Sequence, residues 1–197
     1  MDCPKCRRTA LLETTLPEDG IVVHRCTECK GHWLPQAQYA QWQATHPAQE
    51  ATAQLLNQPG GPPFTPSISD ARAALCPECR RYLMRMKVDA KTPFFLERCN
   101  ECEGYWCDRG EWEVLIYLGV SGSLEQFFDP DWQMKLREQN AVNREQEQLL
   151  EKLGPELAQK VVALAQVLQQ HPAGDYALAY LVRKAAHNDE ITELRVE

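Results

Sequence analysis

The sequence predicts an α+β fold: two small β units in tandem, then an α-helical C-terminal region. Three observations carry this. The first is a repeat. Cys76-Pro77-Glu78-Cys79 and Cys99-Asn100-Glu101-Cys102-Glu103-Gly104-Tyr105-Trp106 are matched 73 positions earlier by Cys3-Pro4-Lys5-Cys6 and Cys26-Thr27-Glu28-Cys29-Lys30-Gly31-His32-Trp33. The interval between the two Cys-x-x-Cys pairs is the same in both copies, Cys6 to Cys26 and Cys79 to Cys99. Arg7-Arg8, Arg25 and Glu28 recur as Arg80-Arg81, Arg98 and Glu101. The second is alternation: Tyr82, Met84, Met86 and Val88 interleave with Leu83, Arg85 and Lys87, the two-residue period of a strand. The third is Leu157, Val161, Leu164 and Leu168, an apolar stripe at helical spacing.

The elements follow in order. Residues 1–34 form the first unit, in which a strand from Thr9 to Leu16 runs into the turn Pro17-Glu18-Asp19-Gly20. The β-branched Ile21-Val22-Val23 leads back to the second cysteine pair, so a hairpin with a Cys pair at each open end gathers four sulfurs. Residues 35–57 read as helical, with Tyr39 and Trp42 one turn apart, Leu55-Leu56 at the close, and Pro47 interrupting. Residues 58–75, opening with Gln58-Pro59-Gly60-Gly61-Pro62-Pro63, read as a semi-extended linker with a glycine pivot. Residues 76–118 are the second unit, with the turn Asp89–Pro93 and the return strand Phe94-Phe95-Leu96. Asp108 is expected to cap the next helix, Glu111 completes a capping box, and Trp112, Leu115 and Ile116 form the apolar side. In residues 119–197, Asp129-Pro130 starts a helix that ends near Leu153 at Gly154-Pro155. The stripe helix follows, then one more helix bearing Tyr176, Tyr180 and Leu181, then a charged end. An acidic helical hairpin or bundle is expected, pairing with a protein partner or with itself.

Composition narrows the chemistry. A unit as short as residues 1–34 lies below the size at which metals, disulfides or oligomerisation are usually needed for folding, and the cysteines are the obvious remedy. Of nine cysteines, eight fall in the two quartets. The first pair begins two residues after Met1, which leaves no room for a signal peptide, and no run of 18 apolar residues exists. The chain therefore reads as cytoplasmic and without a membrane segment, where thiols stay reduced and bind metal in preference to forming disulfides. The net charge of −7 resides wholly in residues 108–197, with nine basic and sixteen acidic side chains. That balance weighs against a general nucleic-acid binder, whose affinity comes from clustered Lys and Arg.

Zinc takes four tetrahedral thiolates in closed structural sites. Cys3, Cys6, Cys26 and Cys29 are assigned to one Zn²⁺, and Cys76, Cys79, Cys99 and Cys102 to a second. Iron bound by paired knuckles, as in rubredoxin, is the alternative. Gly31 and Gly104 are expected to let the backbone leave each knuckle. A site closed by four thiolates leaves no place for water or substrate, and no nucleotide-binding or hydrolase motif is found, so no enzyme is expected.

The order Cys-Pro-x-Cys, Cys-x-x-Cys-x-Gly-x-Trp and an acidic helix start resembles the bacterial zinc ribbons of the transcription factor IIB type. Such domains often continue Trp-Leu-Asp-x-Gly-Glu-Leu. Trp106-Cys107-Asp108-Arg109-Gly110-Glu111-Trp112 is similar to this, whereas Trp33-Leu34-Pro35-Gln36-Ala37-Gln38-Tyr39 departs after Leu34. The resemblance covers residues 1–40 and 76–118, and implies zinc and a ribbon fold.

Other residues have two readings each. Trp33 and Trp106 are small-domain core in preference to base-stacking platforms. Arg80, Arg81, Arg85 and Lys87 are a solvated face or a phosphate-binding stripe. Cys107 is a small buried hydrophobe, as Leu34 is in the first copy, or a redox trigger. His24 and His32 flank the first quartet, whose ligand count is already complete. The favoured function is a non-enzymatic adaptor presenting two ribbons and a helical tail to protein partners. The alternatives are nucleic-acid or transcription-machinery binding through the basic face of ribbon two, and thiol-based sensing at Cys107.

Overall fold

The computed structural model describes residues 1–187 except Glu18 and Ala48. The charged end expected after the last helix therefore lies outside the described residues. Two units are present, Met1–Asn140 and Ala141–Glu197.

In unit 1 the first repeat supplies β1 (Leu11–Thr15), β2 (Val22–Cys26) and β3 (His32–Leu34), and the second supplies β4 (Met84–Val88), β5 (Phe94–Arg98) and β6 (Tyr105–Cys107). Each repeat makes its hairpin. In the first, the turn closes with the Leu16 amide on the Ile21 carbonyl (2.9 Å) and Gly20 at φ 74°. The hairpins do not stay apart. All six strands form one antiparallel sheet in the order β1-β2-β3-β6-β5-β4. At its centre β3 and β6 pair with Trp33 opposite Trp106, a residue opposite its own repeat equivalent. The strand order reads the same from either edge, so a pseudo-two-fold axis passes between the two tryptophans, as in an isologous dimer fused into one chain.

Strand alternation gives the sheet two unlike faces. Trp33, Trp106, Leu11, Leu83, Ala74 and all eight quartet cysteines form a cluster on one face. On the other, Val23, Leu34, Leu96, Tyr105 and Cys107 join the main core with the helices. Here α1 (Gln36–Gln43) buries Tyr39 and Trp42. The Tyr39 hydroxyl donates to the Ser121 carbonyl (2.9 Å) and accepts from the Leu124 amide (3.0 Å). A single turn, α2 (Ala53–Leu56), is capped by Thr52. Next come α3 (Glu111–Tyr117), a 3₁₀ segment Ser121–Phe128, and α4 (Pro130–Gln170). Asp129 caps α4 through its Oδ1, which accepts from the Asp131 and Trp132 amides (2.8 and 3.2 Å). Leu124, Phe127, Phe128 and Leu136 lie in the main core, which carries unit 1 well past residue 119.

Two local expectations change. Residues 58–75 are no pivot between separate ribbons, because the sheet is continuous across both. The Tyr117 hydroxyl donates to the Pro59 carbonyl (2.6 Å), and Phe64 packs edge-on against Phe94 (5.4 Å). Asp108 does not cap α3. Gly110, at φ 88°, holds that position, and only the return half of the box forms, with the Asp108 amide donating to Glu111 Oε2 (2.8 Å). Asp108 is drawn away by Trp106, whose Nε1 donates to its Oδ1 at 2.8 Å.

Unit 2 is helical. The later part of α4 breaks helical geometry at Gly154 (φ 73°, ψ 164°), just before Pro155, and α5 spans Gly174–His187.

Gly31 and Gly104 have a role other than the expected one. Neither has a positive φ. A Cβ on Gly104 would lie 2.4 Å from Trp33 Cζ2 and 2.8 Å from the Leu34 carbonyl, and one on Gly31 would lie 2.5 Å from Trp106 Cζ2. Each glycine thus seats the opposite repeat's indole, and both indoles are fully buried. Each removes about 150–250 Å² from water, or about 4–6 kcal/mol of gross hydrophobic stabilisation. Gly104→Ala is expected to cost about 1–3 kcal/mol in denaturant unfolding of the metal-loaded chain, the range of core overpacking. A loss below a few tenths would contradict this seating.

Candidate metal centres

Each Cys-x-x-Cys knuckle is a tight turn with the same hydrogen bond. Arg7, Lys30, Arg80 and Glu103 donate their amides to the carbonyls of Cys3, Cys26, Cys76 and Cys99, at 2.7, 3.2, 3.0 and 2.9 Å. All four donors have positive φ, between 57° and 66°. The residue that turns the chain out of each knuckle therefore directly follows the second cysteine, and in the knuckles of Cys29 and Cys102 it stands one position before the repeated glycine. Amides inside the knuckles point at sulfur: Cys6 to Cys3 Sγ (3.3 Å), Glu78 to Cys76 Sγ (3.4 Å) and Cys102 to Cys99 Sγ (3.4 Å).

The thiols meet as their spacing predicts. Cys3, Cys6, Cys26 and Cys29 bring one sulfur each within 4.8 Å of all the others, as do Cys76, Cys79, Cys99 and Cys102. All are free thiols. Sγ–Sγ separations are 3.6 Å (Cys3–Cys29), 3.9 Å (Cys6–Cys26) and 3.5 Å (Cys79–Cys99). A tetrahedron with metal–sulfur bonds of about 2.3 Å has edges of about 3.8 Å. The separations fit a four-thiolate ion and are far longer than the S–S bond of a disulfide. Several of the bare thiols resist ionisation: burial and shared protons push Cys6 up to about 12, and burial pushes Cys76 to about 11, whereas the hydrogen bond from the Arg81 amide lowers Cys79. A dication bound among them reverses that resistance and expels the protons.

Residues 2–45 match the family described as transcription factor zinc-finger. For the second copy, the likeness rests on its thiol cluster and its strand-for-strand repetition. Neither the curated proteins nor the solved structures give a match. Together the family match and the two Cys₄ clusters support a zinc-binding role on a ribbon fold.

The remaining candidates are placed as follows. Cys107 is fully buried on the helical face, away from the quartets. Burial, then the Glu111 carboxylate, push its thiol well above the usual range, the reverse of a reactive thiolate. His32 is buried opposite Cys107, and burial followed by the Arg25 charge lowers it to about 3, so it stays neutral. Among the described residues, neither it nor His24 joins a ligand cluster. The basic residues are largely engaged: Arg81 with Glu101 (2.9 Å), Lys87 with Asp89 (2.6 Å), and Arg85 with Glu97 (3.2 Å), the Asp70 carbonyl and the Phe95 ring (4.2 Å). Among the described residues, no helix is long and apolar enough to cross a membrane.

Sequence reasoning missed a buried polar network beside the first knuckle. Lys5, between two ligands, has a buried side chain whose Nζ donates to Glu97 Oε1 (2.8 Å) and to the carbonyls of Ser69 and Arg72 (both 3.1 Å). Burial raises Glu97 to about 7 against the pull of Lys5. Asp70, Asp108 and Glu111 gather nearby, all buried. The one available signal was a mid-knuckle residue of opposite charge in each copy, Lys5 and Glu78.

Glu111 gives a pH test. Burial, then repulsion from Asp108 and Asp70, hold its carboxyl well above the usual range, and its Oε1 has no hydrogen-bond partner among the described residues. The folded chain keeps a proton that the unfolded chain has released, so stability from this group falls as pH climbs above the ordinary carboxylate range. Glu111→Gln keeps the acceptor for the Asp108 amide and removes this titration. The variant is expected to gain on wild type as pH climbs above the ordinary carboxylate range, by at most about 1.4 kcal/mol per pH unit, read as a Tm difference that widens with pH. Parallel Tm profiles would show Glu111 ionised in the fold.

Proposed function

We propose that this chain is a non-enzymatic adaptor in which two Zn²⁺ ions, one per thiol quartet, hold a rigid double-ribbon body, while the helices of residues 141–187 present an apolar surface to a protein partner. The observation that carries it is exposure in unit 2. Leu157 is 50% exposed, Val167 63%, Tyr176 73% and Val182 61%, and Leu150, Leu164 and Leu178 are likewise exposed. Apolar side chains concentrated in this way mark interaction surfaces. Four thiolates per ion leave no open position for chemistry, which supports a structural role for the metal. Reduced thiols suit a reducing compartment such as the cytoplasm.

Binding of nucleic acid through Arg80, Arg81, Arg85 and Lys87 is the competing reading. The acidic partners of Arg81, Arg85 and Lys87, together with the net charge of −7, argue against it.

The test is a pair of binding measurements. Full-length chain immobilised in lysate is expected to retain nuclease-resistant protein that Leu157→Glu/Leu164→Glu does not retain. Fluorescently labelled random duplex and single strands are expected to show no anisotropy change at about 50 mM salt, where phosphate contacts are strongest. Salt-dependent binding of those strands, lost in Arg85→Glu/Lys87→Glu, would replace the adaptor reading. Loss of concentration-dependent self-association in the Leu157→Glu/Leu164→Glu variant would identify the partner as a second copy.

A further inference from the structure

We propose that the two metal sites load as a coupled pair, and that Lys5 and Glu78 are the positioning residues through which each knuckle is held by the opposite repeat. The argument starts from what crosses the pseudo-two-fold axis. Glu78, between ligands Cys76 and Cys79, accepts from Trp33 Nε1 of the first repeat at 2.9 Å. Lys5, between ligands Cys3 and Cys6, donates to Glu97 of the second repeat, two residues before ligand Cys99. Trp33 lies against Gly104, two residues after Cys102, and Trp106 against Gly31, two residues after Cys29. All eight ligands and both indoles belong to one apolar cluster. No knuckle in this arrangement keeps its setting if the other repeat's knuckles come apart.

The differences between the repeats point the same way. By symmetry Trp106 should donate to Lys5, as Trp33 does to Glu78, yet an ammonium cannot accept. Asp108 stands between them, accepting from Trp106 Nε1 at 2.8 Å with its Oδ2 3.8 Å from Lys5 Nζ. The residue equivalent to Asp108 in the first repeat is Pro35, where Glu78 makes a carboxylate unnecessary. Lys5 with Asp108, and Glu78 with Pro35, are two complementary solutions for one crossing contact. Both link a ligand turn to the far ribbon.

Coupling of this kind is reciprocal: what the first ion gains from the second, the second gains from the first. It is measured on the full chain with Co²⁺ as probe, through the thiolate-to-cobalt absorption bands, and by native mass spectrometry of the zinc-loaded species. In the wild type both quartets are expected to fill together. With tenfold coupling between equal sites, singly loaded chains at half-saturation fall to about a quarter, against about one half for independent sites. Cys6→Ser/Cys29→Ser is expected to weaken Co²⁺ at the second quartet at least tenfold, and Cys79→Ser/Cys102→Ser to weaken it at the first by the same factor.

Two variants with intact ligands separate coupling from loss of a half. Glu78→Ala is expected to restore a singly loaded population near that of independent sites, whereas Glu78→Gln, which keeps an acceptor for Trp33, retains the wild-type pattern. Lys5→Met is expected to act as Glu78→Ala does. Unchanged Co²⁺ affinity at the remaining quartet in both double-serine variants would overturn the coupling. A Glu78→Ala titration as steep as wild type would overturn the assignment to the crossing contacts.

Discussion

Four thiols drawn to within 4.8 Å of one another, twice over, are the constraint on which unit 1 depends. As thiolates such an assembly is unfavourable on its own, because like charges crowd together away from water, and it becomes favourable when a dication takes their charge. Every other feature of that face follows from it. The knuckles need left-handed residues at Arg7, Lys30, Arg80 and Glu103 to wrap sulfur around a point. The short hairpins hold their registers because both open ends are tied. The indoles of Trp33 and Trp106 then have a fixed surface against which to be buried.

The axis between those indoles converts two marginal units into one body. A ribbon as short as Cys3–Leu34 has little to bury alone. Pairing β3 with β6 gives each half the other's glycine seat and knuckle carboxylate or ammonium, and it frees the opposite face of the sheet to pack α1, α3 and the segment through Leu136. The thiol quartets and the main core thus occupy opposite faces of the same six strands.

The cysteine quartets were legible because ligand chemistry imposes spacing, and spacing survives in a one-dimensional reading. The hairpins were legible from the alternation at Tyr82–Val88 and from the turn at Pro17–Gly20. The seam was not. β3 and β6 are three residues each, too short for a period to show, and strand pairing between repeats is a tertiary event. Without the seam, Gly31 and Gly104 resemble turn glycines, and residues 58–75 resemble a hinge from their Pro and Gly content alone. Their anchors, the Pro59 carbonyl under Tyr117 and Phe64 on Phe94, depend on neighbours far along the chain. Lys5 carries no local sign of its burial, because nothing nearby in sequence announces that Glu97, 92 positions on, will meet it.

X-ray absorption at the zinc edge, on purified chain with its metal content counted, tests the central claim most directly. The account predicts two zinc ions per chain, each with four sulfur neighbours at about 2.3 Å and no nitrogen or oxygen in the coordination shell. One ion per chain, or a shell containing nitrogen or oxygen, would contradict it.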